Sequence, residues 1–378
     1  MKLNYEKRIF GLDLLRAIAI ILVIVSHVIW IIPPITNTSI NSLVSLSGYL
    51  GVEIFFVLSG FLIGRILFRL YTSAQFSLKD VGYFLTRRWF RTLPNYYLIL
   101  IVNILVALLL QKALPINLGH YLLFIQNFAW SMPPFFGESW SLSIEEFAYI
   151  LGPFLLFLVL KFKTAISRSW AFLGVTLFVI LSFLLTKIYF YQSSSISSMV
   201  DWNIQLKAVV IYRIDAIFYG VLTSYIYSKF QVNWIRFKYY SLLLGALIIV
   251  GLNIAIPKLN LFIDVNPLFW VVFYLPINSI AIGLTLPYFS TLHFAPRWIL
   301  KTITAISVLS YAMYLVHFSI VVQLINYFQT QDLVQLPKSF YVAAYIGLTI
   351  FMSYLLYKYY ERPITKLRDR PEIKNYFK

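Results

Sequence analysis

The sequence is built from uninterrupted apolar runs, each about 20 residues long and so long enough for an α-helix to cross the hydrocarbon of a bilayer. Windows of that length place spans at 9–32, 48–68, 94–112, 142–161, 170–190, 206–228, 239–257, 268–289, 302–326 and 340–360. Backbone polar groups in lipid must be satisfied within the chain, which leaves helices or a closed barrel. The runs are continuous and show no ten-residue alternation, so a barrel is excluded. Composition agrees, with 60% hydrophobic and 12% charged residues, against about a half and about a quarter in soluble domains. A soluble enzyme, a disordered chain and a secreted disulfide scaffold are excluded. The expected fold class is all-α, a polytopic membrane bundle of about ten transmembrane helices.

Charge tests the count. With the N-terminus inside and sides alternating, 24 of the 31 Lys and Arg residues fall on cytoplasmic segments. Five fall outside (Lys112, Lys187, Lys207, Lys258 and Lys338), while Arg16 and Arg213 lie within spans. That bias is the positive-inside rule, and it predicts both termini on the cytoplasmic side. It also accounts for the net charge of +17 without nucleic acid as a partner; membrane lipids are the partners it implies. Residues 1–8 are basic, but the run that follows carries Arg16 and lacks a small-residue cleavage site, so a retained first helix is expected. The segment 113–141 is aromatic, contains Pro115, Pro133 and Pro134, and reads as a partly buried outer loop or re-entrant hairpin. One membrane domain over 1–378 is expected, with a short basic tail from about 362. The absence of cysteine excludes thiol chemistry. His27, His120, His293 and His317 have no ligand spacing, so no metal is expected.

Charged and polar residues inside spans need a partner or a task, because insertion of each costs about 2.5–3.5 kcal/mol. Arg16 and His27 are eleven residues apart on the first helix, which returns almost to the same face about 16 Å further along. Asp13 is placed to pair with Arg16. The second span reads GVEIFFVLSGFLIG at 51–64, with Glu53 buried and Ser59, Gly60 and Gly64 forming a small face for helix contact. Arg65 and Arg69, then Arg87, Arg88 and Arg91, gather at the cytoplasmic end. Guanidinium forks suit phosphate, although topology and anionic lipid would also use them. SWSLSIEEFAY at 139–149 brings Glu145 and Glu146 to the start of the fourth span, about 100° apart, so one of them at most faces a common site. Arg213 and Asp215 in YRIDAIFYG, and Tyr314 and His317 in SYAMYLVHF, are further buried polar sets. Each of these sets taken alone also reads as packing.

Taken in order, Arg16 with His27, FFVLSGFLIGR, Arg65 with Arg69, RTLPNYY, SWSLSIEEFAY, YRIDAIFYG, LSYAMYLVH and YYERP resemble the membrane acyltransferase-3 family over residues of about 8 to 365. The resemblance implies transfer of an acyl group, usually acetyl, from cytoplasmic acetyl-coenzyme A to a hydroxyl of an extracytoplasmic glycan or lipid-linked glycan, in a bacterial inner membrane. It implies that Arg16 and His27 are needed for activity, that Arg65 and Arg69 match the family's arginine pair, and that Glu145 or Glu146 contributes. Some members carry an extracytoplasmic hydrolase-like domain. The sequence in hand shows none, and direct transfer is the expectation.

A mechanism follows. Arg65, Arg69, Arg88 and Arg91 would hold the phosphates of coenzyme A, and Arg16 would line the entry path. His27 would take the proton of a sugar hydroxyl, with Glu145 or Glu146 orienting it; an acyl-histidine intermediate is the alternative. Trp140, Tyr149, Arg213, Asp215, Tyr314 and His317 are the candidates for substrate contact. Trp130, Trp140, Phe135 and Phe136 either stack on sugar faces or form an interfacial belt. The rival function is a transporter or flippase of a lipid-linked or small anionic substrate, against which no inverted repeat is visible.

Overall fold

The structure is a computed structural model that describes residues 8–32, 38–73, 76–162, 166–330 and 336–371, with the backbone alone at 38–43. Lys2, Lys7, Lys163, Lys374 and Lys378, all counted toward the charge bias, lie outside these residues. Ten long helices run through the described residues, with no strand among them. They are α1 (Phe10–His27), α2 (Thr38–Thr72), α3 (Leu78–Leu109), α4 (Ser139–Leu160) and α5 (Arg168–Ser193). Then follow α6 (Ile214–Lys229), α7 (Lys238–Lys258), α8 (Phe269–Thr291), α9 (Arg297–Thr330) and α10 (Lys338–Leu367). All except α6 are long and apolar enough to cross a membrane. The protein is an all-α, integral membrane bundle.

Two helices depart from the hydropathy reading. The third was expected from 94, but α3 starts at Leu78 and runs straight through Pro94. Its first four turns carry Arg87, Arg88 and Arg91, which depress hydropathy without weakening helix propensity. Asp80 secures the start by accepting from the Ser77 amide (2.9 Å). The sixth was expected over 206–228, but α6 begins only at Ile214 and has 16 residues, about 24 Å of helix. Ahead of it the chain makes a π turn at Trp202–Lys207 and a 3-10 turn at Val210–Tyr212.

Helix α2 is the centre of the bundle, packed on α1, α6, α8, α5 and α4. Its contact with α6 is backbone on backbone. A Cβ on Gly60 would collide with the Ile217 carbonyl, and one on Gly220 with the Val57 carbonyl. Buried charge joins the same helices. Glu53 of α2 accepts from Arg213, just before α6, and from the Ser279 hydroxyl of α8. Lys187 of α5 pairs with Asp215 of α6. Glu53, Lys187, Arg213 and Asp215 are all essentially inaccessible. The pairs tie α2, α5, α6 and α8 into one unit and fix where α6 starts.

Removing one partner of a fully buried pair leaves an uncompensated charge, at a cost of about 3–5 kcal/mol. Glu53→Ala should therefore lower the melting temperature in detergent sharply. The double replacement Glu53→Leu/Arg213→Met should lose clearly less; equal losses would show that the charges do not pair energetically.

Candidate functional site

Three cavities lie one behind another through the bundle. The first, about 520 Å³, opens at the end of the bundle where α2 finishes and α3 starts. Arg69, Arg87, Arg88, Arg91 and Arg368 line it, with Asp369 as the one carboxylate among the described residues of its wall. Asp369 is shared between Arg87 (3.3 Å) and Arg368 (3.2 Å), so the cavity keeps a large excess of guanidinium charge. That donor set fits the phosphates of a coenzyme.

Arg88 and Arg91 also line the second, inner cavity, together with Arg16, Ser59, Glu145 and Tyr149. Arg16 is only loosely held by Asp13 (3.8 Å). Asp13 is occupied by Arg8 (2.7 and 2.5 Å) and by the Ser307 hydroxyl (2.8 Å). The Arg16–Asp13 pair of the sequence reading is thus the weaker half of a cluster. Glu145 faces the cavity, while Glu146 turns to α3 and accepts from Trp89 Nε1 (3.1 Å) and Thr92 Oγ1 (2.8 Å). Tyr149 shares a 2.5 Å hydrogen bond with Ser59.

Val52 and Tyr314 are common to the inner cavity and the third, outer one. The outer cavity is the largest, about 1110 Å³. Its walls include His27, His317, Trp140, Glu138 and Lys207. His27 Nδ1 lies 2.7 Å from the Val23 carbonyl. A carbonyl only accepts, so Nδ1 carries the proton and Nε2 keeps its lone pair for chemistry. His317 is arranged alike, with Nδ1 2.7 Å from the Tyr314 carbonyl, and its Nε2 is buried without a partner. The two imidazoles meet edge to face at 4.7 Å. The Tyr314 hydroxyl bonds to Ser141 (2.7 Å) and donates to the Glu138 carbonyl (3.2 Å). One face of α1 thus lines two compartments, with Arg16 in the inner and His27 in the outer.

Other sequence candidates are placed apart from the cavities. Arg65 lines none of the three; its guanidinium stacks on Tyr227 (4.5 Å), away from Arg69. Arg213 and Asp215 are bound in the buried ion pairs. Neither glutamate of the motif stands beside His27, the role given to Glu145 or Glu146 in the sequence reading. Among the aromatics, Phe136 packs on Tyr96 (5.4 Å), and Lys207 sits 4.7 Å over the Trp140 ring. Trp130 is the more open ring, 45% exposed. The stretch 113–138 forms a packed loop with one short turn, Gly119–Leu122, and supplies much of the outer wall.

Sequence reasoning missed Glu138, Lys207 and Arg368. Glu138 sits one residue before the quoted motif, at a helix start where an acid is unremarkable. It is 4% exposed, and burial pushes its carboxyl up to about 7. Lys207 was counted as an outer-loop cation and Arg368 as part of the tail.

The chain is thus an integral membrane bundle with a guanidinium cluster at one end and a histidine pair in its outer cavity. A family profile described as "Acyltransferase domain", that of the acyltransferase-3 family, matches residues 9–358, and the chain belongs to that family. It is similar to a putative O-acetyltransferase, SACOL0978, of Staphylococcus aureus strain COL, at 27% identity over 94% of this chain and 57% of the relative. It is also similar to the O-acetyltransferase OatA of Staphylococcus aureus strain NCTC 8325, at 26% identity over the same shares. The chain thus spans just over half the length of these relatives. No solved structure matches.

The cavities make a prediction that needs no assay of function. The protein has no cysteine, so single cysteines report cleanly. Ser310→Cys, in the inner cavity, should react with a membrane-impermeant thiol reagent from one face only. Asn203→Cys, on the outer cavity, should react only from the other. Labelling of both from the same face would break the serial arrangement.

Proposed function

We propose that this chain transfers an acetyl group from cytoplasmic acetyl-coenzyme A to a hydroxyl of an extracytoplasmic cell-envelope glycan. It would do so in the bacterial inner membrane, with both termini on the cytoplasmic side. The observation that carries this reading is the serial arrangement of the cavities: a cluster of arginines at the basic end, a cleft of Arg16, Arg88 and Arg91 behind them, and His27 beyond the Val52–Tyr314 partition. The acetyl group and the direction come from the family membership, from the relatives' names and from the positive-inside bias.

In this reading the phosphates of coenzyme A lie against Arg69, Arg87, Arg88 and Arg368. The neutral arm threads the inner cavity, and the thioester reaches the partition. The acceptor enters the outer cavity, where Trp130 offers a ring face. His27 Nε2 takes the proton of the acceptor hydroxyl as its oxygen attacks the thioester carbonyl. The C–S bond breaks, and the imidazolium returns the proton to the thiolate, so that coenzyme A leaves as the thiol.

The test uses protein in vesicles, acetyl-labelled acetyl-coenzyme A and a crude envelope glycan fraction. His27→Ala should lower transfer by about 10²–10⁴-fold with donor binding retained. Undiminished transfer would overturn the base assignment. Arg69→Ala should weaken donor binding by about tenfold or more, as expected for a charge-assisted phosphate contact. Arg65→Ala should leave donor binding unchanged; the reverse result would move the phosphate site to the Arg65 side of α2.

A further inference from the structure

The base proposed above becomes a cation for part of the reaction, and in a lipid-buried cleft an unpaired cation is costly. His27 and His317 each turn Nδ1 to a backbone carbonyl, so neither is held by a carboxylate in the manner of a catalytic triad. Glu145 faces the inner cavity, and Glu146 is bonded to Trp89 and Thr92. Among the described residues lining the outer cavity, one carries a carboxyl group: Glu138.

We propose that Glu138 is the positioning and counter-charge residue of the histidine pair, holding His317 in place and stabilising the imidazolium that forms on His27. Its two oxygens divide the work. Oε1 accepts from the Ser319 amide (3.2 Å) and the Ser319 hydroxyl (2.6 Å). Ser319 belongs to the π turn His317–Val322, so this clamp fixes the turn that presents His317 and Phe318 to His27. Phe318 packs 4.9 Å from the His27 ring. Oε2 is buried and has no hydrogen-bond partner, as has His317 Nε2. An unpartnered carboxylate oxygen and an unpartnered imidazole nitrogen in one cavity complement each other once a proton arrives. The Glu138 backbone carbonyl completes the assembly by accepting from Tyr314 at the partition.

The surroundings set the sign of the pH effect. Besides the histidines of α1 and α9, the groups that face Glu138 or share its cavity are Lys207 ahead of α6, Lys112 after α3, His120 of the loop, and Tyr49, Tyr121, Tyr314 and Tyr345. The tyrosines carry no charge between pH 5 and 9. The two lysines, and His120 when protonated, disfavour an imidazolium, so Glu138 is the group that favours it. Burial raises the Glu138 carboxyl to about 7, so it is above that pH, where Glu138 is ionised, that its loss should weaken the hold of His27 on a proton.

This inference rests on His27 as the base, so its test has one readout independent of turnover. Full-length protein with ring-labelled histidine is titrated by NMR in nanodiscs, the His27 signal being the one absent from His27→Ala. In Glu138→Gln, which keeps shape and the Ser319 clamp, the His27 titration should fall by about one unit or more. The acid limb of transfer to the envelope glycan fraction should fall with it, and the plateau should drop by about tenfold or more. In Ser319→Ala the rate should drop while the titration stays. A His27 titration unmoved by Glu138→Gln, or moved as far by Ser319→Ala, would overturn the proposal. Absence of transfer in the wild type would remove the acetylation reading, and the titration would still decide the role of Glu138.

Discussion

The buried pairing of Arg213 with Glu53 is the interaction on which the rest of this bundle depends. A full-length sixth helix would place Val209–Arg213 in regular geometry and swing the guanidinium around the axis. Instead the helix starts only at Ile214, and the guanidinium meets Glu53 of the central helix. The segment ahead of it has irregular backbone, which is tolerated in a membrane protein only where other protein groups satisfy it. They do so here. The Val210 amide donates to the Asn127 carbonyl (3.0 Å), and the Ile211 amide to Phe128 (3.1 Å). Asn127 returns a side-chain bond to the Ala208 carbonyl (2.5 Å). The broken sixth helix and the loop after α3 thus complete each other's hydrogen bonding, and together they wall the outer cavity.

That wall carries backbone strain of its own. Phe124 and Phe136 both adopt positive φ, at 60° and 46°, a conformation uncommon for bulky residues. Their rings lie on Tyr96, at 4.1 and 5.4 Å, and the Tyr96 hydroxyl donates to the Tyr121 carbonyl (2.8 Å). Aromatic burial of this kind holds a loop in a conformation that its local preferences oppose. The result is a rigid approach to Glu138 and Trp140, with Gly137 tucked against the Phe318 ring, where a side chain would crowd it.

Much of this was legible in sequence, and the limits have physical causes. Nine of the ten expected spans are helices long and apolar enough to cross a membrane, and apolar length announces them because lipid imposes it directly. The boundary of α3 did not, since hydropathy registers where a helix meets lipid and not where it begins. The 100° separation of Glu145 and Glu146 correctly implied that they would part company. Which of them faces the cavity depends on Trp89 and Thr92, nearly sixty residues away in sequence. Arg65 and Arg69 read as a pair because they are four apart on one face. The structure separates them, since Tyr227 captures Arg65, and no local pattern announces that contact. Glu138 was invisible for the same reason: its meaning comes from Ser319, on a helix far along the chain.

The partition between the inner and outer cavities then acquires a physical role. A membrane enzyme that moves a group from one side to the other must let the group through while blocking ions and water. A continuous polar tunnel would leak; a thick apolar plug would keep the reactants apart. Here the described residues common to the two cavities are Val52 and Tyr314. The Tyr314 ring packs 6.3 Å from Phe55 and 5.6 Å from His317. Its hydroxyl is latched to Ser141 of α4 and to the carbonyl of Glu138, just ahead of α4. Those bonds link Tyr314 to the residue that clamps the His317 turn, so displacement of Tyr314 would be felt at the histidine pair. A single helix face, Tyr314 to His317, carries that link.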